Sequence, residues 1–207
     1  HSPTDMGVNM AGNCISDDAV CRRASQQEII RRYYKSMCEQ RRTGETRDDL
    51  RKLKLLMQQA GVTTQDRAVV GAALQCSEAT GSLPAAAIEL EDGTIVTGHT
   101  STLLGASAAV LMNALKALAG IDHEIDLLSP VCIEPIQTLK TRYLGSRNPR
   151  LHTDEILIAL SSSAATNPLA RQAMEQLPKL HGCEAHSTVL LSAVDEQTFK
   201  RLGVNLT

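Results

Sequence analysis

Apolar residues recur at three- and four-residue spacing through most of the first eighty positions, a period that predicts helices rather than strands. From Asp17 to about Arg42, the side chains of Val20, Ala24, Ile30, Tyr34 and Met37 follow this period. Thr46 with Asp49, and Thr63 with Asp66, carry the spacing of a capping box, in which a hydroxyl and a carboxylate exchange hydrogen bonds with the first backbone N–H groups of a helix. They predict a second helix with Leu50, Leu53, Met57 and Ala60 on one stripe, stopped by Gly61, and a third, alanine-rich helix reaching about Ala79. Residues 1–16 lack any period and are expected to form an irregular arm.

The pattern changes at Gly81. PAAAIEL and TIVTGHT flank Glu91-Asp92-Gly93, which predicts two strands joined by an Asp-Gly hairpin. Thr102 to Ala119 is almost wholly apolar and predicts a helix buried on most sides, ended by Gly120, with Thr100 or Ser101 available as its cap. HEIDLLS (123–129) predicts a third strand, and Ser129-Pro130 opens another helix. Further on, Asn167-Pro168 caps a helix to about Leu177, and HSTVLLS (186–192) predicts a fourth strand. Ser192 and Asp195 box a last helix closed by Gly203, and VNLT begins a further strand. The expected architecture is α/β: a helical segment over 1–80, then an α/β sandwich over 81–207 with a β-hairpin and alternating strands and helices. The order of hairpin, helix, strand, helix and strand resembles the deaminase-like layout, but the zinc signature HxE with PCxxC is absent, so the likeness concerns the fold alone.

Composition narrows the function classes. Aromatic residues make up 2% of the chain, so a nucleic-acid reader built on stacking platforms is disfavoured. The net charge of −2 offers no general attraction to polyanions, yet Arg22 to Lys54 holds eleven Lys or Arg against five Asp or Glu. That basic helical face suits an acidic partner or simple solvation, since acids are interleaved with it. The six cysteines show no CxxC pair and no zinc spacing, so reduced thiols and a cytoplasmic location are expected. No run approaches a membrane span. The opening HSPTDMG reads as a piece of something longer.

The candidate chemistry lies in GSRNPRLHTDEILIALSSSA, residues 145–164. Proline 149 pushes Asn148 out of the helical region, so a helix starts later, with His152 or Thr153 at its cap, Asp154 and Glu155 in its first turn, and Ile156, Leu157 and Leu160 buried. This gathers Arg147, Asn148, Arg150, His152, Asp154 and Glu155 into one loop and one helical turn. Two guanidiniums, an imidazole and two carboxylates there can bind an anion, hold a metal or pass a proton, or they can simply be a capped, salt-bridged helix start. Two lesser candidates are Gly98-His99-Thr100-Ser101, whose hydroxyls and amides can cradle an anion, and His186 with Ser187, which can join His152 and Asp154. Motifs for a P-loop, a dinucleotide fold, a serine hydrolase or a zinc protease are absent, and no particular cofactor is implied.

The strings SPTDMGVNM, ASQQEIIRRYY, IELEDGTIVTG, LGSRNPRLHTDEILIAL, CEAHSTVLL and the closing LGVN resemble the C-terminal part of a bacterial family catalogued as domain of unknown function 1846. The resemblance spans nearly all of the chain. It implies a longer, cytoplasmic polypeptide of unestablished activity, with a glycine-rich, P-loop-like segment in an N-terminal half that this piece would pack against. Arg147, Asn148, Arg150, His152, Asp154, Glu155, His186 and Ser187 sit in the shared strings. The expectation is an enzyme on a nucleotide or phosphorylated small molecule, with His152, Asp154 and Glu155 catalytic and Arg147, Asn148, Arg150, His186 and Ser187 binding the anion. The alternative is a structural module that forms a homo-oligomer and has no chemistry of its own.

Overall fold

The computed structural model describes residues 18–45 and 48–207. The expected arm over 1–16, Cys14 and the Thr46 cap lie outside the described residues. The chain divides into two compact units, 1–67 and 68–207.

In the first unit, α1 (Asp18–Thr43) packs against α2 (Asp48–Ala60). Their shared core is small: Ile30, Met57 and Val62 are buried, with Ile29, Tyr33, Tyr34 and Ala60 packed around them. Glu28 pairs with both Arg31 (2.9 Å) and Arg32 (2.8 Å), so part of the basic face is neutralised along the helix itself. The Thr63 and Asp66 box forms as its spacing predicts, but on a short 3-10 turn, Thr64–Asp66, ahead of the third helix.

The second unit is built on a four-stranded sheet of order β2-β1-β3-β4, with β1 (Ala85–Glu89), β2 (Ile95–His99), β3 (Glu184–Ser187) and β4 (Asn205–Leu206). β1 pairs antiparallel with β2 and β3, and β3 pairs parallel with β4. Ala85 to Ile88 are all buried, because both faces of the central strand are covered. α3 (Ala68–Ala79) lies across one face, where Val69 and Ala73 meet Ala87. Ala86 and Ile88 point the other way, as alternation along a strand requires, into the main core. α4 (Ala106–Ala119) covers that face, and its backbone approaches β2 so closely that a Cβ at Gly98 would collide with the backbone of Val110.

The remaining helices extend the same core: α5 (Pro130–Thr138), α6 (Thr153–Ser163), α7 (Pro168–Met174) and α8 (Ala193–Arg201). Five residues, Leu139–Tyr143, continue α5 as a π-helical turn. Asn167 caps α7 through Leu169 and Ala170, and Ser192 caps α8 through Asp195, both as their sequences predict.

The structure departs from the sequence expectations at four places. Residues 123–129 are turns, not a strand: the Asp122 carboxylate accepts the Glu124 N–H at 2.9 Å, and the Lys116 ammonium takes the His123 carbonyl at 2.5 Å, so local side chains claim the groups a ladder would use. The strand expected over 186–192 runs instead over Glu184–Ser187, because the Ser187 hydroxyl donates to the Val189 carbonyl at 2.8 Å and turns the chain away. Neither Thr100 nor Ser101 caps α4. Its N-cap is Gly105, while the Ser101 hydroxyl accepts the N–H groups of Leu103 and Leu104. The helix accordingly starts at Ala106 rather than Thr102. The hairpin forms at Glu91-Asp92-Gly93 as its sequence predicts: Gly93 has positive φ (83°), and its N–H reaches Leu90 O at 2.9 Å, a type I turn followed by a glycine bulge.

Candidate functional site

One end of the sheet collects most of the candidate residues. Ala85 pairs with His99 and Ala86 with Ser187, so the C-terminal ends of β2 and β3 and the N-terminal end of β1 lie at the same edge. β2 leads through residues 100–105 into α4, and β3 leads through 188–192 into α8. The candidate turn 145–152 joins them: Leu151 bridges to Leu104, Leu151 N–H donates to Leu103 O at 2.9 Å, and Gly105 N–H donates to Leu151 O at 3.3 Å. The N-termini of α4, α6 and α8 therefore converge. In open α/β sheets, ligands favour this location beyond the carboxyl ends of strands.

Two of the three helix starts are closed by side chains of the chain itself, α6 by carboxylates and α8 by the Ser192 hydroxyl. His152 is the N-cap of α6, and Glu155 reaches back to accept its N–H at 2.8 Å. Asp195, in the first turn of α8, is buried and serves both helices. Its Oδ1 accepts the Thr153 N–H and hydroxyl, each at 2.9 Å, and its Oδ2 accepts the Ser192 hydroxyl at 2.9 Å and faces His152 Nδ1 at 3.2 Å. Burial alone would push the Asp195 carboxyl up, but the hydrogen bonds from Thr153, Ser192 and His152 outweigh it and hold the group below its ordinary range. At neutral pH Asp195 is therefore an anion that can only accept, and His152 must carry its proton on Nδ1 toward it. Its Nε2 is then the atom free to take or give a proton, on a side chain about one third exposed.

A second buried charge fixes the turn. Lys140, on the π-helical turn, donates to Arg150 O at 2.6 Å and to Glu155 Oε2 at 2.7 Å. This ties the turn that carries the arginines to the first turn of α6. Asp154 is exposed, and its Oδ1 accepts the neighbouring Glu155 N–H at 2.8 Å. Asn148 Oδ1 accepts Arg150 N–H at 3.1 Å, which shapes the turn, and Arg150 Nε donates to Ser101 O at 2.7 Å. Arg147 is exposed on the same turn.

His186 does not join His152. It pairs with Ala87 across the strands, and directly opposite residues share a face, so it lies on the side covered by α3, whereas α6 packs on α4 and α8. Its Nδ1 meets the Thr207 hydroxyl at 2.9 Å. Ser187 reaches the site's end of the sheet but is engaged with Val189. Among the described residues no group of three or more His, Cys, Asp or Glu side chains is placed to hold a metal ion. A groove of about 290 Å3 runs beside β2, but its polar groups are already engaged, Asn113 with Thr97 O at 2.9 Å and Lys116 with His123 O. Two residues central to the geometry, Lys140 and Asp195 as the partner of His152, are not visible as site residues in the sequence. Asp195 reads there only as the box of its own helix, and Lys140 carries no local signal.

Comparison with known proteins places the chain. Residues 65–207 match the family described as Domain of unknown function DUF1846, C-terminal, and residues 1–61 match Domain of unknown function DUF1846, N-terminal. The whole chain aligns with UPF0371 proteins of Corynebacterium diphtheriae (60% identical), Corynebacterium glutamicum (57%) and Streptococcus thermophilus (50%), covering 41%, 41% and 42% of their lengths. It thus spans about two fifths of the curated relatives it matches. Among the described residues no helix is long and apolar enough to cross a membrane. The expectation of a purely C-terminal piece is corrected by the N-terminal match over 1–61: the chain belongs to the DUF1846 family, a family of uncharacterised function, and carries sequence from both of its domains.

Proposed function

We propose that residues 68–207 supply a binding and proton-transfer site to a cytoplasmic enzyme that acts on a phosphorylated small molecule or a nucleotide, completed by the rest of a longer polypeptide. The observation that carries this reading is the His152 Nδ1 to Asp195 Oδ2 contact of 3.2 Å, with Asp195 buried and ionised. A carboxylate that fixes the tautomer of an accessible imidazole prepares it for general acid or base work. In this reading His152 exchanges the proton, Asp195 positions it, and Arg147 and Arg150 hold the anion on a turn shaped by Asn148. Glu155, paired with Lys140, keeps that turn against the helix, and Asp154 supplies a solvent-side carboxylate. The test is turnover of a panel of phosphate monoesters and nucleotides by the full-length polypeptide and its His152→Asn variant. A hundredfold fall in kcat at unchanged KM supports the reading. Equal turnover by both proteins contradicts it.

A second reading has its own observation. The α5 segment and its π-helical continuation expose Val131 (76%), Leu139, Tyr143 (70%) and Leu144. Apolar side chains exposed in series mark a contact surface, which suits an assembly module that meets the rest of the polypeptide or a second copy. Sedimentation across a hundredfold concentration range tests it: self-association that Tyr143→Ser with Leu144→Ser abolishes supports a homo-oligomer, and a monomer throughout contradicts one.

A further inference from the structure

Charge is segregated along the segment that contains α5. Residues 122–134 hold four acids, Asp122, Glu124, Asp126 and Glu134, and no Lys or Arg, whereas residues 140–150 hold Lys140, Arg142, Arg147 and Arg150 and no Asp or Glu. Lys140 is buried and engaged with Glu155, but the four acids and the three arginines are exposed. Among the described residues, no salt bridge joins any of these four acids, Arg142 or Arg147 to a Lys, Arg, Asp or Glu side chain. Glu124 meets only its neighbour His123, at 3.7 Å. The acidic end and the basic end of this element are therefore both left without a counter-charge of that kind.

Between the two ends the outer face is apolar. Val131 and Pro135 lie one turn apart, on the side of α5 opposite the buried Ile133, and both are exposed. Leu139 continues the exposed stripe into the π-helical turn, and Tyr143 and Leu144 extend it to the basic end. There the Arg142 guanidinium lies 5.8 Å from the centre of the Tyr143 ring, so the two side chains are held side by side. Ile125 is exposed among the acids at the other end. The helical stretch from Pro130 to Tyr143 is roughly 20 Å long, more than two Debye lengths at physiological salt, so each charged end answers only to what faces it.

An apolar stripe with acids at one end and bases at the other is complementary to itself turned end for end. Both halves of the match are carried by this chain, which makes a second copy the occupant that fits. We infer that α5 packs antiparallel on α5 of a second copy about a twofold axis near Pro135, an isologous contact. Glu124 and Asp126 of each copy face Arg142 and Arg147 of the other, and Val131 of each lies beside Leu139 of the other. The inference rests on the assembly reading of this surface and adds to it the partner and the direction. The apolar stripe supplies most of the affinity, and the charged ends fix the orientation, because a parallel pairing would set acids on acids and arginines on arginines.

Charge reversal tests it, by sedimentation velocity of the full-length polypeptide over a hundredfold concentration range. Three variants are compared with the wild type: Glu124→Lys with Asp126→Lys, Arg142→Glu with Arg147→Glu, and all four substitutions together. All four positions are exposed, and thermal melts check that each variant is folded. Asp122 is left in place because its carboxylate accepts the Glu124 N–H at 2.9 Å. Association is the readout, since Arg147 also belongs to the anion-binding turn of the first reading. The wild type is expected to dimerise, and each two-site variant to dimerise about tenfold more weakly or worse. The four-site variant should recover wild-type dimerisation, because both ends are reversed together, and an equal mixture of the two-site variants should form a heterodimer. Dimerisation unchanged in the two-site variants, or lost in them without recovery in the four-site variant, overturns the antiparallel pairing. If Tyr143→Ser with Leu144→Ser still abolishes association in that case, the assembly reading stands without it. A monomer at every concentration overturns both the pairing and the homo-oligomer.

Discussion

The starts of α6 and α8 and the start of α4 face the same end of the sheet but meet the needs of their backbones in opposite ways. At α6 and α8 the chain provides its own acceptors: Asp195 takes the Thr153 N–H, Glu155 takes the His152 N–H, and the Ser192 hydroxyl takes the Asp195 N–H. At α4 a glycine precedes three buried amides that have no acceptor among the described residues. The contrast teaches that carboxylates near a helix start are not by themselves a sign of function. Asp195 and Glu155 are held by the architecture they stabilise. His152 gains its chemical interest from this arrangement, because a carboxylate needed for capping also orients the imidazole.

The largest expected effect on this contrast comes from removing its closed half. Asp195→Ala strips acceptors from Thr153, Ser192 and His152 at once, and we expect a loss of about 3 kcal/mol in urea unfolding, from one lost cap and several buried donors left unpaired. Asp195→Asn keeps one oxygen and should lose less. Glu155→Ala removes the partner of buried Lys140 and the return bond to His152, and is expected to cost about 2 kcal/mol by the same measurement, reduced because Glu155 is partly exposed. Acid dependence gives a third comparison. The folded-state pKa of Asp195 is depressed, so the stability it contributes is complete above the unfolded value, about 3.9, and is lost as the pH falls through the lower folded value. Denaturant melts between pH 5 and pH 2 should show that loss in the wild type and a shallower one in Asp195→Asn. Smallest of all, Gly105→Asp should raise stability by about 0.5 kcal/mol, since an N-cap aspartate improves on glycine by a few tenths.

Much of the fold is legible in the sequence where the deciding interaction is local. Asn167-Pro168, Ser192 with Asp195, and Gly120 all act within four residues, and each performs the capping or stopping role its sequence predicts, while the Thr63 and Asp66 box forms on a 3-10 turn ahead of the helix it was expected to cap. The same locality explains the strand expected over 123–129. Its apolar run is real, but Asp122 and Lys116 satisfy its backbone by side chains, a competition that hydropathy does not register. His152 and Glu155 are legible as the cap of α6. That His152 faces Asp195, 43 residues away, and that Lys140 ties Arg150 to Glu155, are consequences of packing between helices that no spacing encodes. The open start of α4 is hidden for a further reason: it consists of backbone groups, which every sequence has.

The most direct measurement is the imidazole nitrogen NMR spectrum of His152 in its neutral form. The proton should sit on Nδ1, which faces Asp195 Oδ2 at 3.2 Å, and that preference should be lost in Asp195→Ala. A proton held on Nε2 in the wild type would contradict the account.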